Sequence, residues 1–139
     1  MFESLDISAS ALLAQRTRMD TIAGNVANMN TTHNDKGEPV PYRRRFVIFA
    51  SGTRSEDGGD GMTAPGVHVE KVDSDPAPFR IVHDPGNPDA DKDGNVSYPN
   101  IDLAIEQVNM MEASRAYDAN VTMMDTTKAM IASALRLLA

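Results

Sequence analysis

The sequence predicts a mainly α fold with a small β insert: long N- and C-terminal helices, forming a coiled coil, around a short strand-and-turn middle region. Two observations predict it. All eight Pro lie between Pro39 and Pro99, and eight of the nine Gly between Gly37 and Gly94, so the ends are almost free of helix breakers. Those same ends carry apolar residues every seven positions, the period of supercoiled helices. The chain accordingly divides into an N-terminal coiled-coil helix over 1–30, a β-rich or extended middle over 31–100 and a C-terminal coiled-coil helix over 101–139. The two helices form one terminal domain.

The first helix is expected from about Asp6 to Met29. Leu5, Leu12, Met19 and Val26 recur at seven-residue spacing, and Ile22 and Met29 sit three residues beyond Met19 and Val26. Asp6 or Ser8 is placed to cap the start, where a short oxygen-bearing side chain accepts from a free backbone N–H. At about 1.5 Å per residue the helix spans roughly 35 Å. Gly24 costs about 1 kcal/mol against Ala. Beside Ala23 and Ala27 it reads as a point of close helix approach rather than a break.

In the middle, "YRRRFVIFA" (Tyr42–Ala50), "GVHVEKV" (Gly66–Val72) and "PFRIVHD" (Pro78–Asp84) are the strand candidates. "SEDGGDG" between the first two reads as a solvated loop. On a strand Arg43, Arg44 and Arg45 alternate faces, so they form no single basic surface. Their expected roles are edge protection and salt bridges to acidic neighbours. Asp89, Asp91 and Asp93 fall at positions 1, 3 and 5 of an EF-hand calcium loop, with Gly94 at position 6. The match then fails, because position 12 is Asn100 where a bidentate Glu is needed. Pro85 and Pro88 also bar an entering helix. A polar turn is the preferred reading, and a small calcium-binding module is the alternative. His33, His68 and His83 show no metal-binding spacing, and no acid–base constellation is selected. No catalytic residue, metal or cofactor is therefore assigned.

The second helix is expected from about Asp102 to Leu138. Leu103, Met110, Tyr117, Met124, Ile131 and Leu138 form an unbroken seven-residue series. Three residues beyond members of that series stand Ala113 and Ala134, but also Glu106, Asn120 and Thr127, so the seam is narrow and partly polar. A closed hairpin of the two helices would leave part of the longer one unpaired. Leu135, Leu137 and Leu138 crowd a terminus where apolar surface wants a partner. The seams are therefore expected to serve assembly between subunits. Such narrow seams are marginal in water, so the ends are expected to gain order on assembly.

Bulk properties exclude other classes. The 139 residues carry a net charge of −7, which argues against nucleic acid and anionic membranes as partners. No Cys is present, so thiolate chemistry and disulfides are absent. The acidic start "MFESLDISAS" does not look like a signal peptide, and no run approaches the roughly 18 apolar residues of a membrane span.

Two stretches resemble a known family. "SASALLAQRTRMDTIAGNVANMNT" (Ser8–Thr31) is similar to the N-terminal segment of the axial proteins of the bacterial flagellum, above all in "IAGNVAN", with Asn25 and Asn28 in the family's places. Gly24 stands where the family often has Asn or Ser. "PNIDLAIEQVNMMEASRAYDANVTMM" (Pro99–Met124) is similar to the matching C-terminal segment through "SRAYDAN", with Arg115, Tyr117 and Asn120. "PYRRRFVIF" and the "DPGNPDAD" loop narrow the resemblance to the proximal-rod proteins of the basal body, with another axial subunit as the alternative. The resemblance implies a structural subunit of the periplasmic rod, exported without a cleaved signal peptide through the flagellar type III apparatus. Its implied partners are other rod proteins and copies of itself. It implies that Leu5, Leu12, Met19, Ile22, Val26, Leu103, Met110, Tyr117, Met124, Ile131 and Leu138 form the assembly seam. Asn25, Asn28 and Asn120 would set register, and Arg115 would pair with a neighbouring carboxylate or helix-end carbonyl.

Overall fold

Two helices frame the chain in a computed structural model that describes residues 2–52 and 65–138. Helix α1 runs Phe2–Ala27 and helix α2 runs Leu103–Leu138, with 26 and 36 residues. Helix α1 begins a turn earlier than expected. Ser8 lies inside it and bonds back to the Ser4 carbonyl at 3.0 Å, so neither Ser8 nor Asp6 is its cap. Its C-terminal end is closed by Asn28, whose backbone N–H and side-chain amide both donate to the Gly24 carbonyl. Helix α2 does have a cap: Asp102 Oδ1 accepts from the N–H of Ala104 at 2.8 Å.

Between the helices lie two separate antiparallel ribbons. Strands β1 (Arg45–Ser51) and β2 (Val67–Ser74) pair from Arg45↔Ser74 to Ser51↔Val67, with a register shift between Ile48 and Phe49. This ribbon packs on α1, where the Val67 N–H donates to Ser10 Oγ at 3.1 Å. Strands β3 (Arg80–His83) and β4 (Asn95–Tyr98) form the second ribbon. The expected loop over 55–61 lies outside the described residues.

Two expectations on the middle need correction. The first strand starts at Arg45, not Tyr42, because Arg44 turns to an acid on α2 and Arg43 stacks over Phe79 at 4.4 Å. Strand β4 has no counterpart among the three strand candidates. Val96 carries it, pairing with Val82 and lying almost wholly buried. The Asp-rich segment is thus the connection of a β-hairpin, in place of the helix–loop–helix that an EF-hand requires. Asp91 Oδ1 accepts from the N–H groups of Asp93 and Asn95, which turns the chain back on itself. Gly94, at φ 75°, completes that turn, and a Cβ there would lie 3.0 Å from His83.

The apolar core is slight. Among the described residues the buried hydrophobic side chains are Ala14, Ile22, Val96, Ile101 and Ala113. Total accessible surface is 9665 Å². A compact monomer of 15.0 kDa exposes about 7,000 Å².

Candidate functional site

The most enclosed side chains at the helix junction are polar. Asn25 on α1 and Glu106 on α2 are both 0% exposed. Asn25 reads the start of β1 as a neighbouring strand would: Oδ1 accepts from the Arg45 N–H at 2.9 Å, and Nδ2 donates to the Arg45 carbonyl at 2.8 Å. Nδ2 also donates to Glu106 Oε2 at 3.0 Å, and the Tyr42 hydroxyl donates to Oδ1 at 3.4 Å. All four bonding positions of the amide are thereby filled. The other carboxylate oxygen, Glu106 Oε1, accepts from Arg44 Nε at 2.8 Å, and Arg44 also faces Asp75 at 3.6 Å. One buried network therefore joins α1, α2 and β1. Nearer the middle of the hairpin, Arg18 meets Glu112 at 3.4 Å on the surface.

The helix seam lies along the same junction. Among the described elements α2 packs only on α1. Its inward stripe consists of Glu106, Ala113 and Thr127, all buried, alternating with half-buried Met110, Tyr117, Met124 and Ile131. On α1, Ile22 is buried and Leu5, Leu12, Met19 and Val26 are half-buried. Leu103 is exposed at the near end of α2, and Leu138 closes α2 at its far end. The structure thus turns most of the seven-residue series toward the partner helix of the same chain. An open groove of about 390 Å³ remains between the helices, lined by Ile22, Val26, Leu103, Gln107 and Met110.

The remaining motif residues act locally. Asn28 closes the end of α1, and Asn120 Nδ2 donates to the Ala116 carbonyl one turn back at 2.8 Å. Arg115 is exposed and joins none of the ion pairs among the described residues. Gly24 does not serve close helix approach. A Cβ there would meet the Tyr42 hydroxyl first, at an ordinary 3.9 Å.

The Asp-rich hairpin is tied to the segment after α1. Asp89 Oδ2 accepts from the Thr32 hydroxyl at 2.5 Å and lies 3.3 Å from His33 Nδ1. The Thr32 hydrogen bond is the main cause holding the Asp89 carboxyl below the ordinary carboxylate range, and His33 adds to it. Glu106 and Arg44 were not singled out as site residues. The available signals were a lone acid at an inward heptad position and an arginine expected to seek an acidic neighbour.

The chain matches two family profiles. One, described as flagella basal body rod protein, covers residues 5–33. The other, the C-terminal part of the flagellar basal body rod FlgEFG proteins, covers residues 92–137. The flagellar basal-body rod protein FlgC of Bacillus subtilis is 44% identical over 145 residues, spanning 98% of this chain and 97% of the relative. Its namesake in Borreliella burgdorferi is 38% identical, covering 99% and 97%. That of Salmonella typhimurium is 40% identical, covering 95% and 93%. Both profile matches fall mainly on the helical ends, including the Asn25 and Glu106 junction.

Proposed function

The chain belongs to the flagellar basal-body rod proteins and is a structural subunit of that rod, and on this premise we propose that it builds the proximal rod by stacking helically with other rod proteins and with copies of itself. In this reading the helices of successive subunits form a coiled-coil tube around the export channel, and the β ribbons pack outside it. The subunit reaches the periplasm through the flagellar type III apparatus without a cleaved signal peptide. It works as a part of a shaft and supplies no chemistry.

The observation that carries this reading is the unburied surface. The chain exposes 9665 Å² against the roughly 7,000 Å² of a compact monomer of its mass. The difference is of the size that large protein–protein interfaces remove. The exposed apolar side chains on the helices include Leu13, Ile105, Val108, Met111, Met123 and Leu135. In this reading Leu5, Leu12, Met19, Ile22, Val26, Leu103, Met110, Tyr117, Met124, Ile131 and Leu138 form the assembly seam. Asn25, Asn28 and Asn120 set register, and Arg115 meets an acid or a helix-end carbonyl on a neighbour. No helix of the described residues is long and apolar enough to cross a membrane, which suits a part held by protein contacts alone.

The test is Tyr117→Asp or Met124→Asp in the bacterium that carries the protein. Either change puts a charge on the seam and is expected to abolish rods and motility while the chain is still secreted. Normal swimming by either variant would overturn the seam assignment.

A further inference from the structure

Strand β1 pairs with β2 along one edge and has no strand on the other among the described residues. The Arg44 carbonyl accepts from the Asp75 N–H at 2.8 Å, so it points toward the β2 side. Peptide groups alternate along a strand, so the N–H and C=O of Arg45 point the other way. Asn25 fills both. The same alternation turns the N–H and C=O of Val47 to that outer edge, ahead of the register shift after Ile48. Among the described residues no bond from outside the ribbon reaches Val47.

This edge opens on a hollow of about 320 Å³ between α1 and β1, which Val47 itself lines. Ile22, Phe46 and Phe49 supply its apolar wall, and Arg18, Arg44 and Arg45 its charged one. No acid stands among its described lining residues, although the chain carries a net charge of −7. Arg44 is committed to Glu106. Arg18 has only the surface contact with Glu112 at 3.4 Å, which an incoming carboxylate can share. Arg45 is exposed and joins none of the ion pairs among the described residues; its guanidinium lies 5.5 Å over the Tyr42 ring.

We propose that the outer edge of β1 receives an extended acidic peptide segment of another protein as a third strand. Asn25 already occupies the first pairing position, so the added strand begins at Val47. Main-chain bonds to Val47 hold the segment, and its carboxylates meet Arg45 and Arg18. Apolar side chains between those acids rest on Ile22, Phe46 and Phe49. Charge complementarity selects the occupant: an acidic strand matches the Arg45 charge, whereas a basic one is repelled by it. The contact goes beyond the rod-subunit reading and does not depend on it.

The probe is a blocked peptide of alternating Val and Asp, titrated into the full chain and followed by calorimetry and amide exchange. Saturable binding that slows exchange of the Val47 N–H is the expected result. N-methylating one alternate set of peptide amides should abolish binding and methylating the other set should leave it, since one edge of the peptide faces β1. Arg45→Gln should weaken binding about tenfold or more while its backbone stays bonded to Asn25. Equal binding of a Val–Lys peptide, or of both methylated forms, would overturn the proposal. Inorganic phosphate binding as tightly as the peptide would also overturn it, because the hollow would then be a small-anion site. So would the absence of saturable binding.

Discussion

Glu106→Gln preserves the shape of a fully buried side chain and removes its charge. In the native network Glu106 accepts twice, from Arg44 Nε at 2.8 Å and from Asn25 Nδ2 at 3.0 Å. A glutamine offers one acceptor and one donor there. Whichever way it is turned, one N–H group of Arg44 or Asn25 faces another N–H group at contact distance. An unsatisfied buried donor costs about 1–3 kcal/mol. Loss of the ionic partner adds less than the roughly 3–5 kcal/mol of a fully enclosed pair, because the Arg44 side chain is 23% exposed and keeps Asp75 nearby. The sum is about 2–3 kcal/mol. In a chain with so few buried apolar residues, that is a large part of the total. The assay is urea unfolding of the purified chain followed by its helical signal, where this loss moves the midpoint down by about 1–2 M. Glu112→Gln is the control. Its carboxylate is surface-exposed against Arg18, so its effect should stay within about 1 kcal/mol. A Glu106→Gln unfolding free energy within about 0.5 kcal/mol of that of the unaltered chain would refute the reasoning. So would an unaltered chain with no cooperative helical transition, since the network would then close only between chains.

Three further outcomes follow from local geometry. Gly24→Ala should stabilise the fold by up to about 1 kcal/mol in the same unfolding assay, because the site is helical and the added Cβ meets nothing closer than 3.9 Å; destabilisation would mean that Tyr42 or α2 sits nearer than this. Asp102→Ala removes the cap of α2 and should cost about 1 kcal/mol, with amide exchange rising first at Ala104 and Ile105; unchanged exchange there would count against the cap. Asp89 has a depressed carboxyl, so its contribution to folding is fully present above the unfolded value of about 3.9 and is lost as pH falls through the lower folded value. Thr32→Val should move Asp89 back toward the ordinary range in a carboxyl titration followed by NMR, and an unmoved titration would show that the hydroxyl is not the cause.

The parts legible in the sequence are those that depend on residue type and spacing alone. Breaker-free ends with a seven-residue period specify two long helices and their inward phase, and α2 does turn Met110, Tyr117 and Met124 toward α1. Glu106, with Asn120 and Thr127, marks that seam as partly polar but names no partner. Its meaning depends on Arg44, 62 residues away, and no local pattern reports such a pairing. Strand β4 was hidden for a different reason. The Asp and Gly spacing of a calcium loop is also that of a tight turn closed by Asp91, and only the pairing of Val96 with Val82 separates the two. Gly24 misled because small neighbours suggest helix contact, whereas the side actually opposite it is filled by Tyr42.

The placement of a polar network at the junction has a consequence for assembly. An apolar pair at 25 and 106 would hold two helices together, but it would also tolerate sliding by a heptad, since one Leu replaces another. An amide with four filled bonds and a carboxylate with two donors accept one register only. The network therefore fixes how α1 lies on α2 while using almost no apolar surface. That leaves Met123, Met130 and Leu137 available to neighbours. A chain stabilised instead by a large apolar core would have to bury those residues itself, and would have less to offer a polymer. Replacing Arg44 and Glu106 together by Met and Leu separates the two roles. Such swaps often preserve or raise stability, although Asn25 Nδ2 here loses one of its two acceptors, at about 1–3 kcal/mol; the double variant should stay helical at low urea yet fail to form rods. Normal rod formation by that variant would show that register comes from elsewhere on the helices.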